Sequence, residues 1–389
     1  MKKRIGIIVY SNPDYLPPII NATRILAKEF NLVVICRNQE QPQIAYPNNV
    51  RLYRLGKLKT AREKETQSLV IKFLEYITFV VRTIFYIQFY NCRFIYSYNM
   101  HGFVSGFLAS RFGKKKPLIY HNFDLCELEK TDGLTYIIEY LELVMARYAD
   151  RVIFPDINRA RYFQTKAKLT KLPDIVMNTP LRIDRLPSNN LEEILKAKGF
   201  NLDTKVVLYQ GAINEAHSIS EVIQSMTFWP KDTVFVLSGI IRDDFKKAML
   251  AKTKVLNLVD RIIYLSYLPY SQIFYYAIGA YVGLALYKPM DINQLFNAGA
   301  SNKIFEYISL GIPVITNDSP YFREVLDSSF AYFAKHDSVE DIARAINLAF
   351  SDVEEYRRKS QAARQAHLTR FNYEVQFNPI IEYIKKVTL

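Results

Sequence analysis

"SNKIFEYISLGIPVIT", residues 301 to 316, places a lysine where helix electrostatics oppose it. Ser301 is a good N-cap, and Gly311 followed by Pro313 is a helix stop. The spacing predicts a short helix with Lys303 as its second residue, then a buried strand over 313–316. A helix N-terminus carries about half a positive charge, so a cation there is unfavourable unless an anion joins it. Free backbone N–H groups at such an end bind phosphate, and a lysine completes that kind of site. Glu306, one turn on, offers acceptor oxygens suited to ribose hydroxyls. The alternative is a solvent-facing Lys303 paired with Glu306, worth about a few tenths of a kcal/mol.

Other chemistries find less support. Cys36, Cys92 and Cys126 have no disulfide-like or metal-like spacing, so no metal is expected and a reducing, cytoplasmic setting fits. A dinucleotide site would need G-x-G-x-x-G after the first strand, but the loop there is "SNPDYLPP". Later strands end in single glycines, Gly211 after "VVLYQ" and Gly239 after "VFVLS". Neither a Walker A lysine motif nor a G-x-S-x-G elbow is present. Two histidines close strand-like runs, His101 in "YNMHG" and His121 in "LIYHNFDL". Imidazole there suits either an acceptor site or a strand end.

The elements that must position these residues alternate between strand and helix, the pattern of parallel α/β sheets. "RIGIIVYS", "NLVVICR", "FIYSYN", "KPLIYHNF" and "ADRVIFPD" read as strands, with "PPIINATRILAKEF" a helix opened by proline. After a polar stretch, "RIDRLPSNN", the pattern restarts with "TKVVLYQG", "DTVFVLSGI" and "DRIIYLSYL". With 389 residues, 50% of them hydrophobic, the expectation is two doubly wound, Rossmann-like domains. Their bounds are expected at 1–185 and 186–370, with a final helix over 371–389. Ligands bind such sheets at the carboxyl ends of the strands, hence in a cleft between facing domains.

Residues 69–90 and 262–287 are apolar enough to suggest membrane spans. Lys72, Glu75 and Arg82 interrupt the first, and Pro269, Gly279 and Gly283 punctuate the second. Buried structure is the expectation for both. Behind "MKKR" the apolar run stops at "SNPD", too early for a signal peptide, so a first strand is expected. Residues 1–188 hold 29 Lys+Arg against 16 Asp+Glu, whereas 189–389 hold 22 of each. Clusters such as Lys114–Lys116 and "RLYRLGKLKTAR" (51–62) concentrate this excess, which suits an anionic membrane surface or a pyrophosphate-linked acceptor. No nucleic-acid-binding motif accompanies it.

"SNKIFEYISLGIPVITND" resembles the helix signature of retaining, family 4-type glycosyltransferases of the GT-B architecture. "KVVLYQGAINEAHSISEVIQSM" is similar to the opening of that family's donor domain, and "DRIIYLSYLPYSQIFYYAIGAYVGLALY" to a later segment. "ADRVIFPDINRARYF" and "IVMNTP" resemble steps late in its acceptor domain, and "FNYEVQFNPIIEYIKKV" the helix that crosses back to the first domain. The resemblance implies a sugar nucleotide on the second domain and an acceptor mainly on the first. Glu306 would bind the ribose, and Asn302, Lys303 and the helix N-terminus the phosphates. Tyr267 and Leu268 would flank the base, with Gly211 and Gly239 lining the donor site. In the first domain it implies a catalytic pair contacting the sugar, with Asp124 as its acid and His121 as the candidate histidine, beside Lys303 as the third catalytic residue; His101 and Asn122 are acceptor-side candidates.

This sequence departs from the pattern at several positions. Ala212 and His217 stand where the family has cations for the leaving diphosphate, so a protonated His217, Lys303 or Arg242 would have to compensate. Ala298 replaces a second carboxylate, Ser266 a glycine, and Phe123 a histidine, for which His121 is a substitute. The expectation is a metal-free retaining hexosyltransferase with a glycan, lipid-linked or small-molecule acceptor, acting in the cytoplasm or peripherally on the inner membrane face. A weak or inactive GT-B protein binding a nucleotide or partner protein is the alternative, and a sugar-nucleotide epimerase a third.

Overall fold

Continuous apolar runs become the central strands of two parallel sheets because both faces of such strands are covered. The computed structural model describes residues 2–38, 44–57, 67–127, 133–201 and 203–388. Residues 58–62 of the basic run at 51–62 lie outside them. Contacts divide the chain into Met1–Met177 with Gln376–Leu389, and Asn178–Val375. The first boundary lies before the one expected at 185/186, and the second after the one expected at 370/371.

The first unit runs β1 (Arg4–Val9), α1 (Pro17–Glu29), β2 (Asn31–Arg37), β3 (Val50–Leu55), α2 (Leu69–Phe89), β4 (Phe94–Tyr98), α3 (Asn99–Arg111), β5 (Leu118–His121), α4 (Gly133–Met145), β6 (Arg151–Phe154), α5 (Ile157–Ala167) and β7 (Asp174–Ile175). Its strands lie in the order β3-β2-β1-β4-β5-β6-β7, all parallel. Chain order reverses between β1 and β4, where an open parallel sheet leaves a crevice for a ligand. Pro17 opens α1 at a position where a missing N–H costs nothing.

The second unit holds α6 (Leu191–Ala197), β8 (Lys205–Gln210), α7 (Ile219–Ser225), β9 (Thr233–Ser238), α8 (Asp243–Val255), β10 (Ile262–Leu265), α9 (Ile273–Ala277), β11 (Val282–Ala285), α10 (Ile292–Leu295), α11 (Asn302–Ser309), β12 (Val314–Asn317), α12 (Pro320–Val325), β13 (Ala331–Ala334), α13 (Val339–Ser351) and α14 (Val353–Thr369). Its strand order is β10-β9-β8-β11-β12-β13, with the reversal between β8 and β11. The last helix, α15 (Tyr373–Thr388), starts in this unit, but from Gln376 onward it belongs to the first. There Phe377 packs on Tyr96, Tyr383 meets Phe94, and the Arg151 guanidinium covers Tyr383 at 4.8 Å.

Residues 262–287 fold as strand, turn, helix and strand, as their punctuation implies. Residues 69–89 differ from expectation. They form a 21-residue helix that buries Tyr76, Phe79, Val80, Thr83 and Ile87 but leaves its other apolar face exposed. Among the described residues, no helix is long and apolar enough to cross a membrane. The lysine cluster also splits. Lys114 and Lys115 are exposed, whereas Lys116 turns inward, its Nζ donating to Gln88 Oε1 at 3.0 Å.

Candidate active site

Helix α11 owes its place to an apolar face. Ile304, Phe305, Tyr307 and Ile308 are fully buried, which fixes Lys303 and Glu306 toward the carboxyl end of β8. Tyr307 secures the register: its hydroxyl accepts from the Gln210 N–H at 3.0 Å and donates to the Leu208 carbonyl at 3.2 Å. Ser301 sits at the N-cap without capping; its hydroxyl instead meets that of Tyr287. Asn302, the first helical residue, is partly exposed.

Lys303 is half-buried, with its head group turned onto aromatic rings. Its ammonium lies 4.5 Å from the Tyr209 ring centroid and 4.8 Å from that of Tyr287, and it donates to the Tyr209 hydroxyl at 3.1 Å. Tyr209 lies near the carboxyl end of β8 and Tyr287 just beyond β11, so the aromatic cage stands at the reversal of strand order. Gly211 has φ +123°, and a Cβ there would lie 3.3 Å from Lys303 Cε. Gly239, at φ +147°, meets the Gly211 carbonyl so closely that a Cβ would sit 1.8 Å from its oxygen. These two glycines let the loops after β8 and β9 close together beside the lysine.

Burial pushes Lys303 down to about 7, with Glu306 opposing the shift, and pushes Glu306 up to about 7. Glu306 accepts from the Gln210 side-chain amide. Each group is thus poised to change charge near neutrality, when a ligand of the right sign arrives. An anion beside Lys303 would restore its full charge, so binding should take up a proton at pH 8. We expect diphosphate affinity to fall as pH rises above 7, approaching tenfold per pH unit in the limit of full coupling. Lys303→Arg should flatten that profile, which calorimetry in buffers of different ionisation enthalpy would resolve. An unchanged profile in the variant would remove Lys303 from the anion site.

His217 is in this site but not as a cation. It is buried, and desolvation, followed by the Lys303 charge, pushes it down to about 3, in place of the protonated imidazole allowed by the sequence. Its Nδ1 donates to Asn214 Oδ1 at 2.8 Å, and its ring lies 5.4 Å from Tyr287 and 5.6 Å from Tyr209. Arg242 is exposed and bound to Asp244 at 2.6 Å. Tyr267 is exposed and Leu268 half-buried beyond β10, and Ala298 is fully buried. Sequence reasoning missed Tyr209 and Tyr287. Their position at strand ends was the available signal, yet aromatic residues ending strands ordinarily read as core.

In the first unit an open pocket lies where β1, β4 and β5 end, lined by Tyr10, Asn99, His101, Asn122, Asp124 and others. Three of the four candidates from the first domain, His101, Asn122 and Asp124, therefore meet on one surface. His101 stacks on Tyr10 at 5.2 Å, and burial pushes it down to about 4. Asp124 is largely exposed and pairs with the buried Arg159 at 3.3 Å. Asn122 donates to the buried Glu142 at 3.1 Å. The fourth, His121, has no accessible surface and does not line that pocket. Its Nδ1 contacts the Tyr96 hydroxyl at 2.9 Å, and burial pushes it down to about 3. As a neutral core residue it cannot stand in for the histidine replaced by Phe123.

The second unit has a counterpart among known families. Residues 190–366 match the family model of glycosyl transferases group 1. No curated protein sequence matches the chain. Among solved structures, a sucrose-phosphate synthase (tll1590) from Thermosynechococcus elongatus is similar over 100% of this chain and 99% of its own, at 15% identity and TM-score 0.74. Anabaena Alr3699/HepE, solved in complex with UDP, is similar over 99% and 100%, at 14% identity and TM-score 0.70. WaaG, a glycosyltransferase involved in lipopolysaccharide biosynthesis, covers 96% and 98%, at 14% identity and TM-score 0.67. At such identities the likeness shows the fold: two Rossmann-like units of the GT-B architecture with a C-terminal helix.

Proposed function

We propose that the chain is a retaining, family 4-type hexosyltransferase that takes its sugar from a nucleoside diphosphate sugar. The observation carrying this reading is Lys303, caged by Tyr209 and Tyr287 at a helix N-terminus, with Glu306 one turn behind it. The group 1 match over these residues supports it, as do Alr3699/HepE structures with UDP and with UDP-glucose. Lys303, Asn302 and the amides of α11 hold the diphosphate, Glu306 the ribose, Tyr267 and Leu268 the base. Gly211 and Gly239 give the loops room beside the phosphates. The acceptor, a glycan, lipid-linked or small molecule, meets His101, Asn122 and Asp124. The protein acts in the cytoplasm, and its basic first unit approaches an anionic membrane.

In this mechanism the anomeric C–O bond breaks with its electron pair passing to the diphosphate oxygen. The acceptor hydroxyl adds to the same face and gives its proton to that phosphate. The protein orients both partners and stabilises charge on the leaving group, and the scheme invokes no metal. Glu306→Ala should weaken nucleoside diphosphate binding about tenfold to a hundredfold, the worth of a hydrogen bond to a charged group. Equal affinity by calorimetry would dismiss the ribose role. Proton NMR of the product tests retention: the donor's anomeric configuration should persist.

The neutral His217 and the Arg242–Asp244 pair favour a second reading, a protein that binds a sugar nucleotide without turnover. Sugar nucleotides that raise the melting temperature yet are never cleaved, with any acceptor class, would establish that reading instead.

A further inference from the structure

Helix α2 is apolar on both sides, and among the described residues only one side is covered. Val70, Leu74, Ile77, Val81, Phe85 and Phe89 recur at three- and four-residue spacing and are 42–68% exposed. The buried residues of α2 occupy the opposite side, packed with Val104 of α3 and Ile138 of α4. The neighbouring helix α4 extends the apolar surface with exposed Tyr136, Ile137 and Tyr140. A row of this length on one helix is more than scattered surface hydrophobics, and such patches mark a docking surface.

The residues around the stripe identify what docks. Gln88 near the end of α2 holds the loop after α3, donating to the Phe112 carbonyl at 2.8 Å while accepting from Lys116 at 3.0 Å. That anchor ties the loop bearing exposed Phe112, Lys114 and Lys115 to the C-terminal end of α2, where Phe85 and Phe89 lie. Arg82 is exposed on α2 itself, and Arg51 covers Tyr90 at 5.3 Å. Two copies meeting through α2 would bring these cations together, whereas anionic headgroups would neutralise them. An apolar face rimmed by Lys and Arg, with aromatics at one end, has the design of a helix lying in a bilayer interface.

We propose that α2 inserts its outer face into an anionic lipid bilayer, with Lys114 and Lys115 engaging the headgroups. This rests on the membrane-facing part of the functional reading and adds insertion to it. Electrostatic adsorption alone would be screened by salt, with a Debye length of about 3 Å at 1 M, whereas buried apolar side chains resist it.

The test uses the full chain and vesicles of phosphatidylcholine with phosphatidylglycerol. Phe85→Trp supplies a reporter, because the only native tryptophan, Trp229, is buried in the other unit. Its emission should shift to the blue and be quenched by brominated acyl chains, and binding should persist in high salt. Val81→Asp with Phe85→Asp should weaken vesicle binding at least about tenfold while the melting temperature stays unchanged, since both side chains are exposed. Lys114→Glu with Lys115→Glu should reduce association at low salt. Flotation that salt abolishes, without quenching, would overturn insertion and leave the membrane reading standing. No flotation at low salt would overturn both, as would self-association through α2 in sedimentation that the aspartates abolish.

Discussion

Lys303→Ala should lower sugar transfer by about two to three orders of magnitude, the usual cost of removing one preorganised donor from a leaving-group site. The same variant should be at least as stable as wild type. Lys303 makes one hydrogen bond and two cation–π contacts, whose gain opposes the cost of burying its charge at a helix N-terminus. Sign matters for the pH dependence. The folded-state value is depressed, so the native state binds fewer protons than the unfolded chain between about pH 7 and the ordinary lysine value. Stability contributed by this residue therefore rises with pH across that window. Glu306 acts oppositely below it: its raised value makes stability fall as pH climbs from the ordinary carboxyl range to about 7. The unliganded pair is at its least stabilising near neutrality, and Lys303→Met should remove the upper arm of that profile in thermal melts. An inactive Lys303→Ala protein that is also unfolded would instead mark the residue as structural.

Gly239→Ala should destabilise the second unit by about 3 kcal/mol or more and abolish nucleotide binding with it. Two costs combine: a backbone region nearly restricted to glycine, at about 1–3 kcal/mol, and a Cβ 1.8 Å from the Gly211 carbonyl oxygen. The obstacle is backbone, so no side chain can swing away. Gly199 provides the comparison. It also has positive φ, at +79°, but a Cβ there meets nothing within 4 Å. Gly199→Ala should cost only about 1–2 kcal/mol and leave binding intact. Similar losses in urea melts of both variants would mean that the Gly211–Gly239 contact carries no special weight.

The parallel sheets were legible because fully buried strands carry continuous apolar runs, and Pro17, Gly311 and Pro313 punctuate them unambiguously. Lys303 and Glu306 were legible because one helix turn fixes their relation before any tertiary contact forms. The cage around the lysine was not, since Tyr209 and Tyr287 come from strands that become neighbours only through the fold. His217 and His121 show the same limit: sequence gives an imidazole, but burial sets its charge. For α2, hydropathy identified an apolar segment and suggested burial, without revealing that among the described residues its neighbours cover one side alone. Lys116 looked like its neighbours until Gln88 drew it inward.

Cleavage of a panel of nucleoside diphosphate sugars, by wild type and Lys303→Ala side by side, decides whether the caged lysine serves sugar transfer. Folding of each protein is confirmed by its melting curve, and each acceptor class is supplied in turn. Wild type should release nucleoside diphosphate from at least one donor, and Lys303→Ala should do so about a hundredfold or more slowly. Equal release by the two folded proteins would contradict that role.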